Sequence, residues 1–295
     1  MIEILLSDNL EALQNIRGVK YNLIYIDPPF NTGIKRTHTP IKTTINDDGN
    51  RVGFGGNNYS VTKQEEVGSY VDKFDEDFIP GFLEPRVKEA YRVLADNGSL
   101  FLHLDYREVH YAKIMCDKIF GNRLCFKNEI IWSYDYGGRP RDRWPLKHDN
   151  ILWYAKNPKH YCFNYDEIDR IPYLAPNLVG EDKALRGKTP TDVWWNTIVP
   201  TSGKEKTGYP TQKPLGILNR IVKVHSSPGD KLLDFFAGSG SFGEAAANEN
   251  RDCLLVDSNP DAVEVMIKRF TDRNIQFKIK WSQYPLHKGR GFLLG

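Results

Sequence analysis

No two of the four cysteines, Cys116, Cys125, Cys162 and Cys253, stand in C-x-x-C spacing. Neither a zinc site nor a disulfide framework is indicated, and reduced, buried thiols are expected. No run approaches the roughly 18 to 20 uninterrupted apolar residues of a membrane span. The opening Met1-Ile2-Glu3-Ile4-Leu5-Leu6-Ser7-Asp8 lacks the basic start of a signal peptide and carries acids early. The expectation is a cytoplasmic chain with no membrane contact and no metal. Charge of one sign is missing too: 40 Lys+Arg stand against 38 Asp+Glu, a formal net charge of +2. Taken alone, that balance gives no sign of a basic nucleic-acid arm. Internal repeats and low-complexity tracts are also absent.

What is present is enough chain, 295 residues at 40% hydrophobic and 12% aromatic, for one large or two ordinary domains with a substantial core. Residues 1–6 read as a strand, 7–9 as a cap or loop, and the stretch to about Ile16 as a helix. A second apolar strand, 21–26, runs into Asp27-Pro28-Pro29-Phe30, where two prolines forbid its continuation. Residues 31–63 are polar and aperiodic, which predicts a long loop on the substrate side. Helical spacing at Phe82, Leu83, Val87, Tyr91 and Leu94, a buried strand at 99–104 and a helix at 108–120 then argue for a parallel α/β sheet.

From 127 to 213 the pattern changes and reads as an inserted region. The α/β rhythm resumes with a helix at 215–224, a strand at 231–235, a glycine loop, a helix to about Asn248, a strand at 253–256 and a helix at 261–270. The near-neutral total hides unlike parts. Residues 64–110 hold 5 basic against 11 acidic side chains, residues 31–63 hold 5 against 2, and residues 127–213 hold 14 against 11.

Gly238-Ser239-Gly240-Ser241-Phe242-Gly243 follows a strand, opens a helix, and is trailed by Asp257 at the end of the next strand. The glycines permit close backbone approach, the helix start offers free N–H groups, and the acid can accept from ribose hydroxyls. Those features fit any adenosine-containing cofactor, so NAD and S-adenosylmethionine both stay open at this point. Asp27-Pro28-Pro29-Phe30 separates them. Methylation of an exocyclic nucleobase amine needs acceptors for two hydrogens, because the nitrogen lone pair is delocalised into the ring. The Asp27 carboxylate and the Pro28 carbonyl would supply them, with Phe30 stacked on the base. A nicotinamide enzyme has no evident use for this tetrapeptide.

In these motifs and their order the chain resembles an amino-methylating DNA methyltransferase of the β class. Ile26-Asp27-Pro28-Pro29-Phe30-Asn31-Thr32-Gly33 is especially similar to type III modification subunits. Ser7-Asp8, Thr211-Gln212-Lys213-Pro214 and Asp234-Phe235-Phe236-Ala237-Gly238-Ser239-Gly240 match further family motifs. Phe235 departs from the usual proline, and Ser241-Phe242 from Thr-Thr.

The resemblance implies an α/β S-adenosylmethionine-dependent methyltransferase fold. Its Rossmann-like sheet would be mixed, mostly parallel and seven-stranded, with helices on both faces, a circularly permuted motif order and an inserted target-recognition region. Residues 1–126 would form the catalytic half, 127–210 a strand continuation plus the insertion, and 211–295 the cofactor half. Asp27, Pro28, Pro29 and Phe30 would meet the target base. Asp234, Gly238 and Gly240 would face the methionine part of S-adenosylmethionine, and the loop residues Phe236, Ala237 and Ser239 would also touch the cofactor. Thr211 and Lys213 would meet its carboxylate, Asp257 its ribose and Asp8 its adenine.

The implied partner is double-stranded DNA, with a homodimer and a cognate restriction endonuclease as further partner classes. Asp27 points to adenine-N6; cytosine-N4 methylation and a non-catalytic DNA-binding subunit are the alternatives. A paired amino group cannot reach a sheet crevice, so the base must flip out at a cost of roughly a few kcal/mol. Arg139, Arg141, Arg143 and Lys147, interleaved with Tyr134, Tyr136 and Trp144, are the candidates for compensating contacts. Trp132, Trp153, Trp194 and Trp195 are expected in the core.

Overall fold

The computed structural model describes residues 1–18, 21–32, 34–37, 41–45, 48, 51–52, 58–63, 69–72, 75–200 and 203–281. The first half holds β1 (Ile2–Leu6), α1 (Asn9–Asn15) and β2 (Tyr21–Ile26), then five short strands: β3 (Ile34–Thr37), β4 (Ile41–Ile45), β5 (Arg51–Val52), β6 (Asn58–Lys63) and β7 (Ser69–Asp72). A π-helical turn, Phe78–Leu83, leads into α2 (Glu84–Val93), followed by β8 (Leu94–Leu104) and α3 (Val109–Phe120). Next come β9 (Phe126–Ser133), β10 (His148–Ala155), α4 (Glu181–Arg186) and β11 (Val193–Trp195). The last part comprises α5 (Leu215–His225), β12 (Lys231–Asp234), α6 (Ser241–Asn248), β13 (Asp252–Asp257), α7 (Pro260–Asp272) and β14 (Phe277–Trp281).

The main sheet runs β11-β9-β10-β8-β2-β12-β13-β1-β14. Its pairings are parallel except the two made by β10, so the sheet is mixed and mostly parallel, as the sequence implies. It carries nine strands rather than the seven expected, because the short edge strands β11 and β14 extend it at both ends. β2 shows why both faces are covered: Leu23 and Tyr25 enter one core with Ile217, Ile221, Phe242, Met266 and Phe270 from α5, α6 and α7. Ile24 and Ile26 enter the other with Leu13, Val87 and Val109 from α1, α2 and α3. A strand buried on both sides reads as a continuous apolar run, and period two sorts its residues between the faces.

Two expectations need correction. The segment 31–63 is not a structureless loop: β4 and β6 pair antiparallel, β5 adds to β6, and β3 pairs with β7 beyond the predicted end. Ile41-Lys42-Thr43-Thr44-Ile45 and Asn58-Tyr59-Ser60-Val61-Thr62-Lys63 are rich in β-branched and aromatic residues. Their polar alternation hides them from a search for one apolar face. Gly33, 38–40, 46–47, 49–50 and 53–57 lie outside the described residues. Trp195 is not core: it is 66% exposed, whereas Trp132, Trp153 and Trp194 are buried. β11 is an edge strand whose alternate residues, Val193 and Trp195, point outward. Cys116, Cys125 and Cys253 are buried free thiols, and Cys162 is half-buried. Among the described residues no helix is long and apolar enough to cross a membrane.

Strand order positions the site. β12 and β13, from late in the chain, slot between β1 and β2. This permutation brings early and late strands together and places Asp8, Asp27, Asp234 and Asp257 at the carboxyl ends of four neighbouring parallel strands. Crevices at those ends are where open α/β sheets bind ligands.

Candidate active site

One crevice, of about 270 Å³, is lined by most of the expected residues: Asp8, Asp27, Pro28, Pro29, Phe30, Thr211, Lys213, Asp234, Phe236, Ala237, Gly238, Ser239 and Asp257. Gly240 does not line it. Gly240 caps α6 in the left-handed region (φ +74°), and a Cβ there would sit 2.7 Å from Met266 Cγ and 3.1 Å from Phe270 Cζ. Its absent side chain lets α6 pack close to α7. Gly238 (φ +49°) faces the crevice, where a Cβ would come 3.2 Å from Tyr209 Cε1. The departure Phe235 is fully buried beside Phe236, and Phe242 stacks on Tyr25 at 5.2 Å, so both fill core volume.

The charges are organised in pairs, with a surplus of acid. Lys213, buried, places Nζ 2.5 Å from Asp27 Oδ2 and 4.9 Å from the centre of the Phe30 ring. The other oxygen of Asp27, Oδ1, is buried and has no hydrogen-bond partner among the described residues. Asp8 caps α1 by accepting from the Glu11 N–H at 3.0 Å and is paired with Arg86 at 3.3 Å. Asp234 and Asp257 are held by backbone only: Phe236 N donates to Asp234 (2.9 Å), while Gly238 N (2.8 Å) and Asn259 N (2.9 Å) donate to Asp257. Burial, with Asp27 and Asp257 nearby, pushes the Asp234 carboxyl well above its ordinary range; burial raises Asp257 as well. Among the described residues neither carboxyl forms an ion pair, although the Lys213 charge acts on Asp234 from further off, and such a crevice suits a ligand that brings positive charge.

Sequence reasoning missed several lining residues. Asn9 donates to Phe235 O (2.9 Å), and Phe82 packs against Phe236 at 5.8 Å under the Arg86 guanidinium. Phe82 and Arg86 belong to one helical stretch, and no motif in the sequence ties that stretch to the glycine loop. Tyr209 and Gln212 belong to the segment before α5. There Gln212 accepts from the Thr207 N–H and hydroxyl at 2.9 Å each and donates to Glu205 O at 2.7 Å. Gln212 shapes the turn that delivers Lys213, while Thr211 takes a positive φ of 61°, an uncommon conformation for a β-branched residue.

The four basic candidates lie apart from the crevice, in the segment joining β9 to β10. Arg139 is paired with Asp135 (2.7 Å), Arg143 with Asp142 (3.0 Å), and Lys147 donates to the Tyr136 and Gly137 carbonyls. Arg139, Arg141 and Arg143 are exposed, as are Tyr136 and, at 90%, Trp144. Tyr134 turns inward and donates to Asp149 at 3.0 Å. No group of three or more potential metal ligands occurs among the described residues.

Fold and site together define a class, and comparison with known proteins places the chain within it. The family model for N6/N4 methyltransferases, described as DNA methylase, matches residues 21–269, and the chain belongs to that family. Transfer of a methyl group from S-adenosylmethionine to DNA is the family's activity. The type II methyltransferase M.HpaI of Haemophilus parainfluenzae is 27% identical over 264 residues, covering 89% of this chain and 72% of that protein. The DNA adenine methyltransferase YhdJ of Escherichia coli K12 is 27% identical over 275 residues, covering 89% and 80% respectively. Among solved structures, the M1.HpyAVI–SAM complex superposes with a TM-score of 0.58 at 22% identity, over 92% of this chain and 99% of that one. The cytosine-N4-specific PvuII DNA methyltransferase superposes with a TM-score of 0.59 at 15% identity, over 92% and 87%. These two structural likenesses establish the fold.

Proposed function

We propose that the protein is a site-specific DNA methyltransferase that modifies the N6 amino group of adenine in a flipped-out nucleotide. The observation that carries this reading is the buried, partnerless Oδ1 of Asp27 beside Phe30. A buried carboxylate oxygen without a donor is costly, and an incoming amino group supplies the missing donor. Lys213 neutralises the other oxygen, so Oδ1 is left for the amine. Pro28 and Pro29 fix the backbone that carries the second acceptor, and Phe30 offers a face for the base. The similarity to a protein named as a DNA adenine methyltransferase and the aspartate at the first motif position both favour adenine over cytosine-N4.

The crevice residues fit S-adenosylmethionine, which when bound supplies the methyl group. Asp234 and Asp257 offer negative charge to a cationic ligand, and the open face of Gly238 lets it approach the backbone. Asp257 keeps acceptor capacity for a hydroxyl, since each carboxylate oxygen has two lone pairs. Lys213 has three donors, so it can meet a ligand carboxylate while still holding Asp27. Phe236, Phe82 and Asp8 line the flank assigned to the adenine ring. Arg139, Arg141, Arg143 and Lys147 hold the DNA beside the site. A second copy of the chain and a cognate restriction endonuclease are the further partner classes to examine.

The test is Asp27→Ala. Single-turnover methylation of DNA should fall by at least about 1,000-fold, while the dissociation constant for S-adenosylmethionine changes less than about threefold. Retained turnover would remove Asp27 from the reaction.

A further inference from the structure

Beneath the crevice lies a buried polar chain that the reading above does not use. His103, on β8, is fully buried. Its Nδ1 lies 2.7 Å from the Tyr25 hydroxyl on β2, and its Nε2 lies 3.2 Å from Asp149 Oδ2 at the start of β10. Asp149 Oδ1 accepts from the Tyr134 hydroxyl, just beyond β9, at 3.0 Å. The four groups therefore cross four neighbouring strands, β2, β8, β10 and β9, at one edge of the sheet. Burial alone would raise the Asp149 carboxyl, but its hydrogen bond with His103, the charges of His103 and Lys213, and the Tyr134 hydroxyl outweigh burial and hold it below the ordinary range. An ionised Asp149 only accepts, so Nε2 of His103 carries the hydrogen between them, and Nδ1 shares a hydrogen bond with the Tyr25 hydroxyl.

The two ends of this chain touch different parts of the enzyme. Tyr25 stands on β2 two residues before Asp27, which follows the strand end, and the Phe30 ring lies 6.0 Å from the His103 ring. Tyr134 and Asp149 bracket the segment 135–147, which carries Arg139, Arg141, Arg143, Trp144 and Lys147. Because β9 runs parallel to β2, that segment leaves the sheet at the edge that holds Asp27, three strand spacings or about 14 Å away.

We infer that His103 is a positioning residue that locks the DNA-facing segment 135–147 to Asp27 and Phe30, so that engagement of DNA and alignment of the amine acceptor depend on one shared set of hydrogen bonds. This rests on the reading that Asp27 meets the target base and that the segment meets DNA. Unpaired, each end would have its own freedom; joined through His103, a shift at Tyr134 becomes a shift at Tyr25. A misplacement of about 1 Å at a reacting group is enough to cost about 100-fold in rate.

Tyr25→Phe and Tyr134→Phe each remove one hydroxyl and keep the ring, so folding is preserved. With the full chain and duplex DNA, Tyr134→Phe and Tyr25→Phe should each both raise the KM for DNA and lower the single-turnover rate, with an overall loss of between about 10- and 100-fold. The S-adenosylmethionine dissociation constant should stay near wild type, and the thermal midpoint should fall by only a few degrees, the cost of one buried group left unpaired. The double variant should be no worse than the more damaging single one, because both cut the same linkage. His103→Gln, which can still donate to Asp149 and accept from Tyr25, should lose less of both properties than either tyrosine variant. Losses that multiply in the double variant, or single variants within about twofold of wild type, would overturn the linkage. If instead Asp27→Ala retained turnover, the role of Asp27 would fall, and the linkage with it.

Discussion

At the scale of single residues the crevice is an electrostatic device built from four carboxylates with two cations among them. Asp27 and Asp8 have their lysine and arginine, while Asp234 and Asp257 wait for charge from outside. The pH dependence follows with a definite sign. A carboxyl whose folded pKa is raised leaves the folded protein with more bound protons than the unfolded chain, so the stability of the free enzyme falls as pH climbs from about 4 through the raised value. A cationic ligand prefers the ionised form. Binding of S-adenosylmethionine should therefore tighten as pH rises through the raised range of these carboxyls and should release protons. Calorimetry in buffers of different ionisation enthalpy measures that release, and Asp234→Asn should reduce it. Proton uptake, or an unchanged release in the variant, would contradict this account of the acid surplus.

Secondary-structure elements show a similar division of labour, and the two glycines of the cofactor loop illustrate it. Gly238 keeps the crevice open, whereas Gly240 joins α6 to α7 in a left-handed conformation against Met266. Gly240→Ala should destabilise the fold by at least about 1–2 kcal/mol from the backbone term alone, seen as a lower melting temperature. Its effect on cofactor affinity should come only through the displaced loop. Glu244 of α6, paired in the interior with Arg269 (3.0 Å) and with Arg273 (2.8 Å), ties the same two helices together. Nothing in the glycine spacing separates a residue that faces a ligand from one that lets two helices touch, which is why both were expected at the crevice.

The same limit decides how much of the element plan was legible. The runs around Leu23-Ile24-Tyr25-Ile26 and Leu232-Leu233-Asp234 announced buried parallel strands, because their apolar character is local. The strands between 34 and 72 did not, because β pairing between polar segments depends on partners far along the chain. His103 and Asp149 were invisible for a related reason. Each looks like an ordinary polar residue at a strand end, and only the sheet order brings them beside Tyr25.

The whole molecule makes its site by permutation. Motifs more than 200 residues apart, Asp8 and Asp27 on one side and Asp234 and Asp257 on the other, meet because β12 and β13 insert between β1 and β2. The ordered motifs made that convergence readable, whereas the near-neutral charge did not. The balance of basic and acidic residues averages the acidic segment 64–110 against the modestly basic segments 31–63 and 127–213. The architecture joins a crevice with a surplus of acid, a buried acceptor oxygen and an exposed basic segment, which the proposed reading assigns to the methyl donor, the amine and DNA. Its central claim, methyl transfer to the adenine amino group, is tested by incubating the protein with isotopically labelled S-adenosylmethionine and unmethylated DNA, then digesting to nucleosides for mass spectrometry. Labelled N6-methyladenine is the predicted product; labelled N4-methylcytosine, or no labelled nucleoside from a protein that binds the cofactor, would contradict it.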